Sequence, residues 1–394
     1  MADNKDKKVL NVPALRFPEF SREWKRHKLS EICSFYSGGT PSSSKKEFYN
    51  GNIPFIRSGE LHKDKTELFI TEDGLNSSAA KLVEIGDLLL ALYGATSGDI
   101  AISKIKGAIN QAILCIRTKQ NKKFIESVWN KHVERLLQTY LQGGQGNLSA
   151  DIVKNIPFYF ADLEEQDKLA NFISLLDERI STQNKIIEDL KKLKSAISKQ
   201  VFAQEPNGWS RLDTLFSKGK AGGTPTSTNK EYYNGEIPFL SINDITKQGK
   251  YVRYTENHLS QSGLENSSAW VVPKYSLIMS MYASVGLVTI NEIPITTSQA
   301  MFAMQLKDKD LLDYLYYYLS YFKYRYIHKY LETGTQSNIN ADIVRGIMIP
   351  TYGHSRNMEI ASTLQGFDAK IDNELSVLEL FNRQKNYLLS QMFI

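Results

Sequence analysis

The sequence is poor in thiols. Cys33 and Cys115 are its only cysteines. That excludes a disulfide scaffold and any zinc site built from four thiolates, and it fits a reducing cytoplasm. Histidines are few and scattered: His27, His62, His132, His258, His328 and His354 form no His-x-x-x-His pair, so no metal site is expected. No stretch of about 18 uncharged apolar residues occurs, so no membrane-spanning helix is expected. The longest apolar run, residues 88–93, has the length of a strand. Residues 1–5 have no apolar stretch behind them and do not read as a signal peptide. No G-x-x-x-x-G-K-[ST] phosphate loop is present. Gly143-Gly144-Gln145-Gly146 has a similar look but lacks the lysine and reads more simply as a turn.

What is present suits two or three domains. The chain has 394 residues, 42% of them hydrophobic and 23% charged, which is ordinary globular composition. A net charge of +5 and a pI near 8.8 permit nucleic-acid binding without demonstrating it.

The chain is written twice. Gly38-Gly39-Thr40-Pro41 recurs as Gly222-Gly223-Thr224-Pro225, Tyr49-Asn50-Gly51 as Tyr233-Asn234-Gly235, and Ile53-Pro54-Phe55 as Ile237-Pro238-Phe239. Asn76-Ser77-Ser78-Ala79 recurs as Asn266-Ser267-Ser268-Ala269, Gln111-Ala112 as Gln299-Ala300, and Ala150-Asp151-Ile152-Val153 as Ala341-Asp342-Ile343-Val344. The repeat unit is about 190 residues, far above solenoid size. The second copy carries extra residues between Ile245 and Gly263, expected to form a loop.

Each copy begins with short strand-like runs, at 53–56, 87–93 and 112–116 in the first, separated by Gly-Gly, Asn-Gly and Thr-Pro turns. A helical stretch follows at 123–140, matched by 311–330. A long helix ends each copy. Apolar residues alternate at spacings of four and three: Leu169, Ile173, Leu176, Ile180, Ile187, Leu190, Ile197 and Val201. Adding 191 gives Ile360, Leu364, Phe367, Ile371, Leu378, Phe381, Leu388 and Met392, and even the polar exceptions Gln183 and Lys194 recur, as Glu374 and Lys385. One reading lays each helix on its own globular core. The matching heptad seams favour the other, in which the two helices pair antiparallel as a coiled coil. The fold expected is α/β, with two similar domains joined by two long antiparallel coiled-coil helices and pseudo-two-fold symmetric. Its parts are an N-terminal arm (1–19), a first domain (20–160), a central helix (161–204), a second domain (205–352) and a C-terminal helix (353–394).

The chemistry of the repeated blocks is that of a recognition surface. After the first Gly-Gly turn stand Thr40, Ser42, Ser43, Ser44, Lys45 and Lys46; after the second, Thr224, Thr226, Ser227, Thr228, Asn229 and Lys230. Hydroxyls, amides and lysines suit phosphates and base edges. Tyr93 with Thr96 and Ser97, and Tyr282 with Ser284, set an aromatic ring beside a tight turn. Gln145, Asn147, Gln336 and Asn338 are the amide types that read adenine. Taken singly, each could be no more than a capped turn; Ser149 or Asp151, for instance, suits a helix cap. Between the shared blocks the copies diverge. Arg57-Ser58-Gly59-Glu60 becomes Ser241-Ile242-Asn243-Asp244. Two similar scaffolds reading two different short sequences would show this pattern.

Asn52-Ile53-Pro54-Phe55 and Asn155-Ile156-Pro157-Phe158 bear a likeness to the Asn-Pro-Pro-Phe motif of adenine methyltransferases. The first proline is isoleucine here, Glu236 stands opposite Asn52 in the second copy, and no Phe-x-Gly-x-Gly turn precedes either, so both read as strand entries.

The doubled Gly-Gly-Thr-Pro turn, Tyr-Asn-Gly-x-Ile-Pro-Phe segment, Asn-Ser-Ser-Ala block and Ala-Asp-Ile-Val helix start, with Glu164-Glu165-Gln166 before the long helix, resemble the specificity subunit of type I restriction–modification systems. The resemblance covers nearly the whole chain. It implies two recognition domains, each binding one half of a split double-stranded DNA target, and spacer helices that dock two methyltransferase subunits. Those would bind S-adenosylmethionine, flip and methylate adenine, while motor–nuclease subunits would use ATP and Mg; the chain itself would hold no cofactor and no catalytic residue. A cytoplasmic location follows. His354-Ser355-Arg356-Asn357 departs from the acidic entry to the second helix. Two other readings stay open: a methyltransferase–specificity fusion, and a coiled-coil scaffold with carbohydrate- or peptide-binding heads.

Overall fold

The computed structural model describes residues 10–140, 147–331 and 338–394. The chain divides into two compact units, Met1–Asn184 with Ser376–Ile394, and Lys185–Leu375. Each takes in a stretch of both long helices.

In the first unit the central sheet runs in the order Cys33–Ser37, Ile113–Thr118, Leu88–Ala91, Ile100–Ile102, all antiparallel. Leu88, Leu90 and Leu92 belong to the larger core with Phe124 and Trp129, whereas Leu89 and Ala91 belong to a second core with Ile56, Ile109 and Ile113. A strand covered on both faces has no polar side, which explains the unbroken apolar run at 88–93. The second sheet orders Phe69–Ile70, Tyr49–Ile56, Gly107–Ile109 and Lys81–Val83, its middle pair parallel. Lys25–Lys28 pairs with Pro157–Phe160. The helix Lys122–Tyr140 sends Phe124, Ile125, Val128 and Trp129 into the larger core.

The second unit repeats this plan with Phe216–Ala221, Met301–Leu306, Leu277–Ser280 and Val288–Asn291. Leu277, Met279 and Met281 again face one core and Ile278 the other. Its small sheet holds Asn257–Leu259, Tyr233–Leu240 and Thr296–Thr297, and Gly208–Arg211 pairs with Met348–Thr351. The extra residues expected as a loop are instead regular structure. A Ser241–Asp244 capping box starts the helix Ile242–Gln248, Gly249 at φ 75° closes it, and Tyr251–Val252 joins the central sheet as a fifth strand. The helical stretch at 311–330 is also interrupted. The helix Leu312–Arg325 stops because Tyr326 turns out at φ −126° to pack on the rings of Tyr321 and Phe322, and a 3-10 turn follows at Ile327–Lys329.

The long helices span Leu163–Phe202 and His354–Met392. In the first unit, Leu169, Ile173 and Leu176 are buried in the main core together with Leu389, Met392 and Phe393. In the second, Ile360 and Leu364 are buried with Phe202. The outer turns of the seam therefore hold each helix to a globular core. Further in, helix meets helix. Asp177 Oδ1 lies 2.6 Å from Lys385 Nζ and the Arg179 guanidinium covers the Phe381 ring at 5.4 Å, an antiparallel progression within the first unit. Within the second unit Lys194 pairs with Asp368, and the Tyr317 hydroxyl donates to Asp368 at 2.7 Å. The two lysines that interrupt the seam thus each meet an aspartate of the other helix. Ile187 and Ile371 are buried; Ile180, Leu190, Phe367, Leu378 and Phe381 are half-buried. Each fully buried seam residue contributes about 1.5–3 kcal/mol, against roughly 0–1 kcal/mol for an exposed ion pair. The apolar positions supply the adhesion and the charges set the register.

The acidic entry to the first helix has a partner the second lacks. Arg16 donates from Nε and Nη2 to the buried Glu165, both at 2.7 Å, and Trp24 Nε1 adds a third bond at 3.2 Å. At the equivalent place in the second unit, Arg356 is exposed and pairs with Glu359 one turn on.

Candidate nucleic-acid interface

The repeated blocks meet at one edge of each unit. A Cβ on Gly38 would lie 1.8 Å from the Ile109 carbonyl oxygen, and one on Gly222 1.9 Å from that of Thr297. Only glycine lets the turn approach the neighbouring strand so closely. The second glycine is equally constrained: a Cβ on Gly39 would meet Ala79 at 2.6 Å, and one on Gly223 would meet the Ser268 hydroxyl at 2.2 Å. That ties the Gly-Gly turn to the Asn-Ser-Ser-Ala block in both copies. Tyr49 and Tyr233 donate their hydroxyls to the carbonyls of Pro41 at 2.6 Å and Pro225 at 2.7 Å, beside Asn50 and Asn234 at φ 59° and 60°.

Onto this frame the exposed groups are hung. Thr40 donates to Gln111 Oε1 and Thr224 to Gln299 Oε1, both at 2.5 Å. Burial pushes the Tyr93 phenol up, partly offset by its hydrogen bond with Gln111. In the first unit the Leu92 amide donates to Ala112 and its carbonyl accepts from Leu148 N and Ser97 Oγ. In the second the Met281 amide donates to Ala300 and its carbonyl accepts from Ile339. The aromatic turns, the Gln-Ala turns and the Asn147 and Asn338 segments therefore converge in each unit. Thr40, Ser42, Lys45, Lys46, Asn147, Thr224, Thr226, Lys230, Tyr282 and Ser284 are exposed; Tyr93, Thr96, Ser97 and Asn338 are half-buried. Lys45, Lys46 and Lys230 have no carboxylate partner among the described residues, which leaves them free for phosphate. Gln145 and Gln336, with the Gly143–Gly146 lookalike, lie outside the described residues.

Three further candidates are engaged within the fold. Arg57 holds the buried Glu60 through Nε at 3.2 Å and Nη2 at 2.9 Å. Burial would raise that carboxyl, but the bonds from Arg57 outweigh it and hold it below the usual range. Ser241 donates to Asp244 at 2.7 Å while capping its helix, and Asn243 donates to Glu256 at 3.1 Å. The helix start at 150 is capped by Ser149, and its counterpart by Asn340.

Gln111 and Gln299, which lie outside the candidate set above, both sit at the convergence. The repeated Gln-Ala pair was the signal. His62 also escaped notice. Its Nε2 lies 2.8 Å from Asp99 Oδ1, joining the turn after Glu60 to the turn after Tyr93, and that hydrogen bond raises the imidazole.

Comparison with known proteins agrees with this geometry. A family model described as type I restriction modification DNA specificity domain matches residues 21–192 and again 206–379. The chain belongs to that family and carries the domain twice. It is 26% identical over 178 residues to the type I restriction enzyme MjaIX specificity subunit of Methanocaldococcus jannaschii, covering 44% of this chain and 40% of the relative. With the MjaVIII specificity subunit of the same organism it is 24% identical over 263 residues, 64% of this chain and 56% of the relative. The chain thus spans about half the length of these curated relatives. With the putative MjaX specificity subunit the match reaches 96% of this chain and 95% of the relative at 23% identity. Among solved structures, the type I restriction-modification S subunit from M. genitalium has the same fold, with a TM-score of 0.59 at 15% identity over 97% of this chain and 99% of its own. A second, from work on assembly and conformational transition of the type I R-M system, gives 0.62 at 17% identity over 94% and 97%. Among the described residues no helix is long and apolar enough to cross a membrane.

Proposed function

We propose that this chain is the DNA-recognition subunit of a type I restriction–modification enzyme and that each unit reads one half of a bipartite duplex target. The observation that carries this reading is the duplicated edge: on one frame Thr40, Lys46, Tyr93 and Asn147 recur as Thr224, Lys230, Tyr282 and Asn338, while Ser42, Lys45 and Thr96-Ser97 give way to Thr226, Asn229 and Ser284-Val285. Thr40, Ser42, Lys45, Lys46, Tyr93, Thr96, Ser97 and Asn147, with Gln111, serve the first half-site; Thr224, Thr226, Lys230, Tyr282, Ser284 and Asn338, with Gln299, serve the second. Arg57, Ser241 and Asn243 position these loops and reach the duplex only at its margin. Residues 20–160 and 205–352 act as recognition domains, and 161–204 and 353–394 as spacer helices.

The chain binds and positions DNA in the cytoplasm. Two methyltransferase subunits dock along the helices, bind S-adenosylmethionine and flip the adenine, and motor–nuclease subunits bring ATP and Mg. Exchanging residues 20–160 for another recognition domain is expected to change one half of the methylated sequence and leave the other intact, read by genome-wide adenine methylation mapping. A change in both halves would refute the modular reading.

A further inference from the structure

In the second unit a cleft of about 530 Å³ opens between the C-terminal half of the first long helix and the helix Leu312–Arg325. Its volume falls within the range of small-molecule sites, roughly 300–1,000 Å³. Lys191, Lys199 and Arg325 line it, are exposed and have no carboxylate partner among the described residues. Among the described residues no acidic side chain lines the cleft. A fourth cation, Lys194, is committed to Asp368. Ser195 and Ser320 add hydroxyls, while the Ser198 hydroxyl donates to the Lys194 carbonyl at 2.9 Å. The aromatic wall is formed by Tyr316, Tyr321 and Tyr324, and the last is 84% exposed, a ring with a free face.

The corresponding place in the first unit is lined differently, and the difference can be read residue by residue. Gly98 abuts Val133 and Leu137, and Gly286 abuts Lys323 and Ile327, which aligns the two domain helices at an offset of 190. Tyr316 and Tyr324 are then matched by Glu126 and Glu134, while Lys191 and Lys199 are matched by Asn382 and Ser390. Ser198 is matched by Leu389, which is buried in the core, and Tyr321 by Lys131, whose ammonium is bound to the backbone carbonyls of Ser390 and Phe393. Arg325 keeps its charge as Arg135, which lines a cleft of about 420 Å³ with His132 and Ile394, but the two free lysines and the tyrosine wall belong to the second unit. A partner that docks alike on both units would not need this difference. A ligand taken once per chain would.

We infer that this cleft binds a nucleoside polyphosphate, with the phosphates on Lys191, Lys199 and Arg325 and the base stacked on Tyr324. Ammonium and guanidinium groups with flanking hydroxyls match phosphate oxygens, and a tyrosine face matches any nucleobase. The cleft shares no lining residue with the recognition edge, and the inference does not rest on the duplex reading.

The test uses the purified full-length chain and equilibrium dialysis with ATP, inorganic triphosphate and adenosine as probes. ATP is expected to bind saturably at one site, with adenosine at least ten-fold weaker. Lys191→Gln, Lys199→Gln and Arg325→Gln combined are expected to weaken ATP at least ten-fold while the circular dichroism spectrum and duplex binding stay as they were. Tyr324→Ser is expected to weaken ATP and leave triphosphate unchanged. The inference is overturned if the folded wild-type chain shows no saturable ATP binding, if the triple variant binds ATP as well as wild type, or if adenosine binds as tightly as ATP. Protection of Lys191 and Lys199 from acetylation by duplex DNA but not by ATP would overturn it equally, by making the cleft a track for the DNA backbone.

Discussion

In the first unit Thr40 reaches Gln111 and Tyr49 reaches Pro41; in the second Thr224 reaches Gln299 and Tyr233 reaches Pro225, at distances within 0.1 Å of each other. Around these shared bonds the units part company. One sets Lys45 over the Phe48 ring where the other uses Asn229 to cap a turn. One builds its aromatic turn with Gly94 at φ 87°, the other with Ala283 and Ser284 at φ 41° and 51°. The difference teaches that repetition in this chain marks the frame. Residues written twice include the glycines that could not be replaced without meeting backbone, and a shared set of exposed contacts such as Thr40 and Thr224; those that differ are the ones that could give the two units different targets.

The sharpest way to break this comparison is at the frame. Gly38→Val is expected to destabilise the first unit by roughly 3 kcal/mol, because its Cβ cannot fit beside Ile109 without a backbone shift. Gly222→Val should do the same to the second. Gly59→Val, where nothing lies within 4 Å, should cost almost nothing. Thermal unfolding followed with half-site binding measures this, and equal loss of both half-sites from Gly38→Val would show that the units do not act separately.

A middle-sized effect is expected at the helix pair. Burial alone would raise the Asp177 carboxyl, but hydrogen bonds from Lys123 and Lys385 prevail and hold it below the usual range. A carboxyl lowered in the folded state contributes stability that is complete above the ordinary carboxylate range and is lost as pH falls through its lowered value. Asp177→Asn should therefore cost about 1–2 kcal/mol at pH 7 and progressively less in acid. Urea midpoints at several pH values read the effect; a constant difference down to the acid limit would contradict it.

The smallest effect concerns the His62–Asp99 bond, which has no counterpart among the described residues of the second unit. Because the imidazole is raised, its contribution is complete below the ordinary histidine value and is lost as pH rises through the higher folded one. The pair is exposed, so His62→Gln should cost less than about 1 kcal/mol. The deficit should show in urea midpoints at mildly acidic pH and vanish in alkali.

Much of the architecture was legible from periodicity. The heptad seams marked both long helices, and the apolar run at 88–93 marked the central strand, because long elements and doubly covered strands impose their pattern on many residues at once. The insertion in the second copy was misread because a seven-residue helix and a two-residue strand leave almost no period. The helix break at Tyr326 depends on rings packed from the preceding turn, which no local rule supplies. At the edge, residue type pointed correctly to exposed hydroxyls and lysines, but it could not distinguish a free arginine from Arg57, which is claimed by a carboxylate three residues on. Gln111 was hidden for the opposite reason, since its place beside Thr40 is set by a strand far away in sequence.

The aspartate–lysine pairs have a consequence for alignment. If the helix segments of the first unit slipped by one heptad in either direction, Asp177 would come opposite Leu378 or Met392 in place of Lys385. In the second unit the same slips would set Asp368 against Ile187 or Val201 in place of Lys194. Every shifted pairing puts an apolar side chain where an aspartate now meets a lysine of the other helix, so the alternatives that an all-apolar seam would tolerate are disfavoured by one acidic side chain apiece.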